Sequence, residues 1–311
     1  MRIHILRGAA LTVLAWIVPW TVSAEKPPFS SSRELSLQIS SLPEAKLGFT
    51  QRLTFPLLQG TGPLTADNNI ALALTAEISP VSLNVLAETV WTPAAFFNLS
   101  AGGRIGSGWN VHLLGQNLYG IGLNREDGSG RAEHSGAAFD GLLWKVQTGA
   151  ALQFDLAALI PGDWHHVVAR TYHEINHRGY TAAASGESWY YENDDGENCN
   201  GFNYYGNLLM GYQMPVFLTM AGFLAEGTLY LYDTPNRTRW GDEKMHWVFS
   251  AIFNFTLTGN LSAALLVQCK TRRNYQNANW EDLYYRRRDI DRSNPLRLTF
   301  YRAAVVMTCK L

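Results

Sequence analysis

His173-Glu174-Ile175-Asn176-His177 matches H-E-x-x-H, the pattern in which two histidines four apart on a helix ligate zinc and the glutamate acts as general base. Residues at that spacing are neighbours on a helical surface. The flanks can be read as such a helix, with Asp163 as its cap, Trp164, Val167, Val168, Thr171, Tyr172 and Ile175 on one face, and Gly179 as its stop. Two features oppose this zinc-peptidase reading. The charged Arg178 follows the second histidine, and the stretch falls where the surrounding alternation expects a strand. On a strand four residues span about 13 Å, too far for two ligands that must each lie about 2 Å from one zinc ion. A membrane-embedded lipase or deacylase would carry His and Ser two residues apart on one strand. No H-x-S and no G-x-S-x-G occurs, and His134-Ser135 are adjacent in a Gly-rich stretch. Sequence alone therefore names no catalytic residue, no metal ligand and no cofactor.

The elements that must position any functional side chain are written in period two. Successive strand residues point to opposite faces, so apolar residues at every second position mark one continuous side. Leu47, Phe49, Leu53, Phe55 and Leu57 oppose Lys46, Thr50, Arg52 and Thr54. Trp247, Phe249, Ala251, Phe253, Phe255 and Leu257 oppose Ser250, Asn254 and Thr256, and Leu261 to Cys269 repeats the pattern against Ser262, Gln268, Lys270 and Arg272. The same alternation runs through Ile70–Ile78, Val81–Trp91, Phe97–Ile105 and Leu142–Phe154. Weaker candidates are Val111–Leu123, Val167–Ile175, Tyr204–Met214, Phe217–Leu231 and a last segment in which Tyr301, Ala303, Val305, Met307, Cys309 and Leu311 alternate to the end.

These segments predict an all-β fold, a transmembrane antiparallel up-and-down β-barrel of about 12 strands, with 10 to 14 compatible with the spacing. The connections agree. Ser79-Pro80, Gly106–Gly108, Pro161–Asp163, Gln213–Pro215 and Thr258–Asn260 read as short turns at every second junction. Gly60–Asn69, Asn124–Asp140, Asn176–Asn203, Asp233–Met245 and Asn274–Pro295 read as long polar loops, and the connection near Trp91–Phe96 is the short exception. Outer-membrane barrels sort their loops by length in this way, with the short turns periplasmic. The polar faces then line an interior that includes Arg52, Glu77, Glu88, Arg104, Lys145, Lys270 and Arg272, a mixed-charge wall expected to confer little ion selectivity.

The ends of the chain add a compartment. Arg2, His4 and Arg7 precede an apolar run from Gly8 to Val18, and Val22-Ser23-Ala24 supplies small residues for cleavage, so residues 1–24 read as a signal peptide. Residues 25–44 then read as a periplasmic N-terminal segment and 45–311 as the barrel. Charged residues are 16% of the chain, low against the quarter or so usual in soluble proteins. The formal net charge of -1 gives no reason to expect nucleic acid as a partner. Three cysteines, Cys199, Cys269 and Cys309, make no disulfide framework; the last two fall at different heights on neighbouring segments, too far apart to bridge.

The loops are the other candidate surface. Ser188–Glu197 is aromatic and then acidic, whereas Asn274–Pro295 holds Trp280, Tyr284-Tyr285, Arg286-Arg287-Arg288 and Asp289, so the two can pair electrostatically across a barrel mouth.

In Phe49-Thr50-Gln51, Phe55–Gly60, Gly102–Asn110, Gly211–Pro215 and Leu229–Asn236 the chain resembles uncharacterised outer-membrane barrel proteins of treponemes and related spirochaetes. That resemblance spans nearly the whole mature chain and implies location and architecture, but supplies no catalytic residue. The chain is also similar in size to twelve-stranded nucleoside and oligosaccharide channels. The expected role is a narrow, porin-like pore for small polar solutes in the bacterial outer membrane. Its partners would be outer-membrane lipid, the barrel-assembly machinery during insertion and the solute itself. The rivals are a structural or adhesive surface barrel with a plugged lumen, and a barrel enzyme.

Overall fold

The computed structural model describes residues 29–311 apart from 43, 114, 193 and 233–236. The signal peptide expected over 1–24 lies outside the described residues. Twelve strands form one closed antiparallel barrel. They are β1 (Ser30–Ser40), β2 (Ala45–Pro56), β3 (Asn69–Ser79), β4 (Ser82–Ala94), β5 (Phe97–Gly108) and β6 (Leu143–Asp155), followed by β7 (Val167–Tyr180), β8 (Gly201–Gln213), β9 (Leu218–Tyr230), β10 (His246–Thr256), β11 (Leu261–Arg273) and β12 (Leu296–Lys310). Each strand pairs with its neighbour in sequence, and β1 closes the ring on β12 in a register running from Glu34↔Lys310 to Ser40↔Ala304. Closure leaves no unpaired strand edge, so the backbone polar groups are satisfied between strands. Among the described residues no helix is long and apolar enough to cross a membrane.

The strand count agrees with the sequence expectation, but through two compensating differences. Ser30–Ser40, expected in a periplasmic segment, is the first barrel strand. Its alternation is short and hidden behind three serines and an ion pair of types: Leu35, Leu37 and Ile39 are exposed on the outer face while Ser36 and Gln38 are buried. Conversely, Val111–Leu123 is not a barrel strand. Val111–Leu113 folds back on Gln116–Leu118 as a small hairpin, turning at Gly115, whose φ of +76° favours glycine. Gly120 then passes so close to the barrel rim that a Cβ there would lie 2.3 Å from the Val81 carbonyl oxygen.

These differences reverse the expected sidedness of the connections from 57 to 108. Segments 57–68, 95–96, 156–166, 214–217 and 257–260 lie at the same end as both strand termini. The described residues of segments 41–44, 80–81, 109–142, 181–200, 231–245 and 274–295 lie at the other. The Ser79-Pro80 turn and the Gly106–Gly108 stretch therefore belong to the long-loop end, and the Gly60–Asn69 loop belongs to the turn end. The short connection at Trp91–Phe96 ceases to be an exception.

Faces follow the alternation. Leu74, Val85, Ile105, Val146 and Phe223 are exposed on the outside, whereas Glu77, Asn84, Ser250, Gln268 and Arg302 are buried inside. The interior is not polar throughout. Leu209, Met220, Leu224, Ile252, Ala264, Leu266 and Ala304 pack together within the β8–β12 sector, and fully burying each large apolar side chain stabilises by about 1.5–3 kcal/mol. Cys269 sits opposite Phe300 and Cys309 opposite Leu261, at different heights as expected, and all three cysteines are free.

Candidate functional site

The filled sector decides where open space remains. A cavity of about 620 Å³ is lined by side chains of β1–β9 and β12 and by none from β10 or β11. It reaches the terminus end, where Ser30 and Leu311 border it, and extends up to Arg178, Asn203 and Tyr230 near the long-loop end.

Strand register sets its chemistry. Lys145 on β6 stands directly opposite Arg104 on β5 and Arg178 on β7, so three inward cations share one row. A second row places Arg52 opposite Ala73 and Ala73 opposite Glu88. Glu174 answers Lys145 at 2.7 Å and accepts hydrogen bonds from the Tyr172 hydroxyl at 3.0 Å and the Asn176 amide at 2.8 Å. Glu77 lies 3.8 Å from Arg104 and 3.9 Å from Lys46. Deeper in the wall, the Tyr205 hydroxyl donates to Glu226 at 2.8 Å.

Five of the seven residues expected inside, Arg52, Glu77, Glu88, Arg104 and Lys145, line this cavity. Lys270 also points inward but lies outside the cavity wall. Its ammonium is 3.5 Å from Asp195 and stands over the Tyr301 ring at 4.5 Å. Arg272 is a correction: it is exposed, and Arg273 is the buried cation in its place. The β10–β11 register ends just before it, at Val248↔Lys270, and the Trp247 backbone N–H donates to the Thr271 hydroxyl at 2.8 Å. The faces exchange beyond that point. Sequence reasoning missed Arg170, Tyr172, Glu174 and Arg178, all on β7, where helical and strand periodicities overlap. The available signal was the even-numbered polar series from Arg170 to Arg178.

The same strand answers the zinc question. On β7 His173 is exposed on the outer face while Glu174 is buried on the inner one, so the glutamate cannot serve a metal held by the histidines. His173 meets the Tyr204 hydroxyl at 2.7 Å, and His177 stacks on Trp144 at 4.8 Å between ring centroids. Both join an outer aromatic surface.

The long-loop end is covered. Trp189–Tyr191 adds to a small sheet with Ile121–Glu126 and Ala132–Ser135, and Trp189, Tyr190 and Tyr191 are fully buried. The expected pairing of the acidic and basic loops is present: Arg288 lies 3.5 Å from Glu197, and the Ser188 and Tyr284 hydroxyls share a 2.7 Å hydrogen bond. Arg287 turns instead to Glu126 at 2.9 Å, and Arg286 stacks over the Trp240 ring at 5.2 Å. Arg273, at the rim, holds Glu197 at 2.9 Å and Asp242 at 3.2 Å.

The lid reaches the inner wall of the barrel through Glu192 and Tyr191. The Lys46 ammonium donates to both oxygens of Glu192 at 2.7 Å, and the Ser82 hydroxyl also donates to it. The Tyr191 hydroxyl donates to the Asn84 side chain beside it. Burial by itself would raise the Glu192 pKa, but Lys46 and Ser82 hold the carboxyl well below its ordinary value. Glu192 keeps a left-handed backbone, φ +49°, a conformation that costs roughly 1–2 kcal/mol for a residue with a side chain. Strain of this kind marks a position that the surroundings over-determine.

No protein-family model and no curated protein sequence matches the chain. Among solved structures it is similar to the KdgM porin, at 9% identity over 91% of this chain and 99% of that one, with a TM-score of 0.35. The β domain of the Bordetella autotransporter BrkA is 11% identical over the same shares, with a TM-score of 0.40. The transport unit of the autotransporter AIDA-I from Escherichia coli is 7% identical over 97% of this chain and 96% of that one, with a TM-score of 0.33.

Proposed function

We propose that this chain is an integral barrel of a bacterial outer membrane whose lumen is a narrow, porin-like passage for small polar solutes. One observation carries the proposal: an apolar outer face encloses a polar, charged cavity of about 620 Å³. Outward apolar side chains against lipid and inward polar ones are the two-sided pattern a spanning barrel requires. Twelve strands fall between barrels that side chains fill completely and those that leave a wide aqueous channel. In this reading the turns and both termini face the periplasm, the long loops face outside, lipid covers the band, and the assembly machinery inserts the barrel. No nucleic acid is a partner, and no catalytic role is assigned.

The lid favours a second reading, a surface barrel with a plugged lumen whose loops bind other molecules. Conductance separates the two. Refolded mature protein in planar bilayers should give discrete steps, larger or more frequent when residues 181–200 are replaced by a short Gly-Ser turn. A flat trace from both proteins would sink the passage and leave the plugged barrel.

A further inference from the structure

We infer that the cation row on β5–β7 is a binding site inside the lumen for small organic anions carrying carboxylate or phosphate groups; as a step in permeation this rests on the lumen being a passage. Arg104, Lys145 and Arg178 project inward from directly paired positions. Side chains so placed have Cβ atoms about 4.5–5.5 Å apart, and like charges directly opposite destabilise a sheet. A protein that keeps three cations in this arrangement must offset their repulsion.

The carboxylates around the cavity do so only in part. Seven cationic side chains border the cavity, Arg33, Arg52, Arg104, Lys145, Arg170, Arg178 and Lys310, against four carboxylate side chains, Glu34, Glu77, Glu88 and Glu174. Glu77 is divided between Arg104 and Lys46, and Glu174 is engaged by Lys145. The Arg178 guanidinium stands over the Trp189 and Tyr230 rings, 5.7 Å from each centroid, contacts that hold it in place.

The donors point the same way. Arg104 is 8% exposed, and its Nε has no hydrogen-bond partner among the described residues; the Nε of Arg170 has none either. Buried donors in native proteins are ordinarily satisfied, and the planar guanidinium fork matches carboxylate and phosphate oxygens. A solute carboxylate or phosphate entering from the terminus end meets the guanidinium groups of Arg52, Arg104 and Arg170 in the cavity wall. A cationic solute would meet the same excess charge as repulsion. Rings of Arg and Lys give anion preference to other pores.

The test uses the full mature chain, refolded in detergent, with citrate and inorganic phosphate as separate probes. Thermal unfolding should shift upward with one or both, and the pair tells carboxylate from phosphate chemistry. Arg104→Gln or Arg170→Gln should weaken binding about tenfold, as expected for loss of a charge-assisted hydrogen bond, and Arg104→Lys should restore part of it. Arg170→Gln serves if Arg104→Gln fails to fold. In planar bilayers a salt gradient should show chloride preferred over potassium, with the preference reduced in both glutamine variants. An upward shift lost in the variants but without conductance upholds the site and overturns the passage. Conductance with no anion preference and no shift overturns the site and leaves the passage standing.

Discussion

Lys46 and Glu192, 146 positions apart in the chain, form a buried ion pair at 2.7 Å that ties a long loop to the inner wall of the barrel. Lys46 belongs to β2, and Glu192 follows the Trp189–Tyr191 segment of the lid. The pair therefore connects the state of the mouth to the state of the wall.

Removing either partner should loosen the lid. Truncating one member of a buried pair leaves the other charge uncompensated and costs about 3–5 kcal/mol. Glu192→Ala and Lys46→Ala should each expose 181–200 to limited proteolysis, while the barrel band on gels stays heat-modifiable. A Lys46→Met, Glu192→Leu double variant should recover much of that loss. Equal cleavage in all four proteins would show that the ion pair does not hold the loop.

The docked loop should be insensitive to pH near neutrality. A carboxyl held below its ordinary value of 4.5 by Lys46 and Ser82 stabilises the docked form at every pH above 4.5, and that contribution disappears as pH falls below it. Proteolysis with an acid-active protease should rise across that window in the wild type and be flat in Glu192→Gln. A transition centred near pH 6 to 7 would contradict this assignment.

Arg302 should be the most sensitive seam position. Its side chain is fully buried on the closing strand, donating to Gln268 at 2.7 Å and pairing with Glu44 at 2.6 Å in the β1–β2 turn. Arg302→Met strands the Glu44 carboxylate beside the seam, and about 3 kcal/mol of stability should be lost. Urea titration in lipid vesicles measures it, and a midpoint within error of wild type would rule it out.

The outer band can be tested separately from the lumen. Leu74 is mid-strand on β3 and exposed on the outer face, so Leu74→Arg should cost about 2–4 kcal/mol in vesicles, the range for a cation near the bilayer midplane. Thr75→Arg, one position along and facing the cavity, should cost less and alter conductance. Equal costs would mean that the two faces are not lipid and lumen.

Zinc should have no effect. Adding zinc ions or a chelator should leave the melting temperatures of the wild type, His173→Ala and His177→Ala each unchanged, because Glu174 lies on the opposite face from both histidines. A zinc-dependent shift abolished by both variants would restore the metal reading.

Much of the barrel was legible because period-two alternation records a two-sided environment locally. Trp247 to Leu257 declares its faces without any knowledge of its neighbours, and so do Arg104 and Lys145 within their own segments. Ser30–Ser40 was harder, since its apolar run is only Leu35, Leu37 and Ile39. Val111–Leu123 alternates yet turns at Gly115, and a single positive φ outweighs a local pattern. Arg272 and Arg273 exchanged roles because they lie beyond the end of the β10–β11 register at Val248↔Lys270, and where a strand pairing ends depends on two segments rather than one.

The sequence by itself determined that this chain alternates greasy and wet residues often enough to close a barrel, and which charges travel on the wet side. Tertiary structure decided which segment completes the ring, which end each loop occupies, that one interior sector is packed shut, and that Glu192 reaches Lys46. The physical reason is range: alternation is fixed by neighbours one and two residues away, whereas register, closure and the lid depend on pairings between residues far apart in the chain.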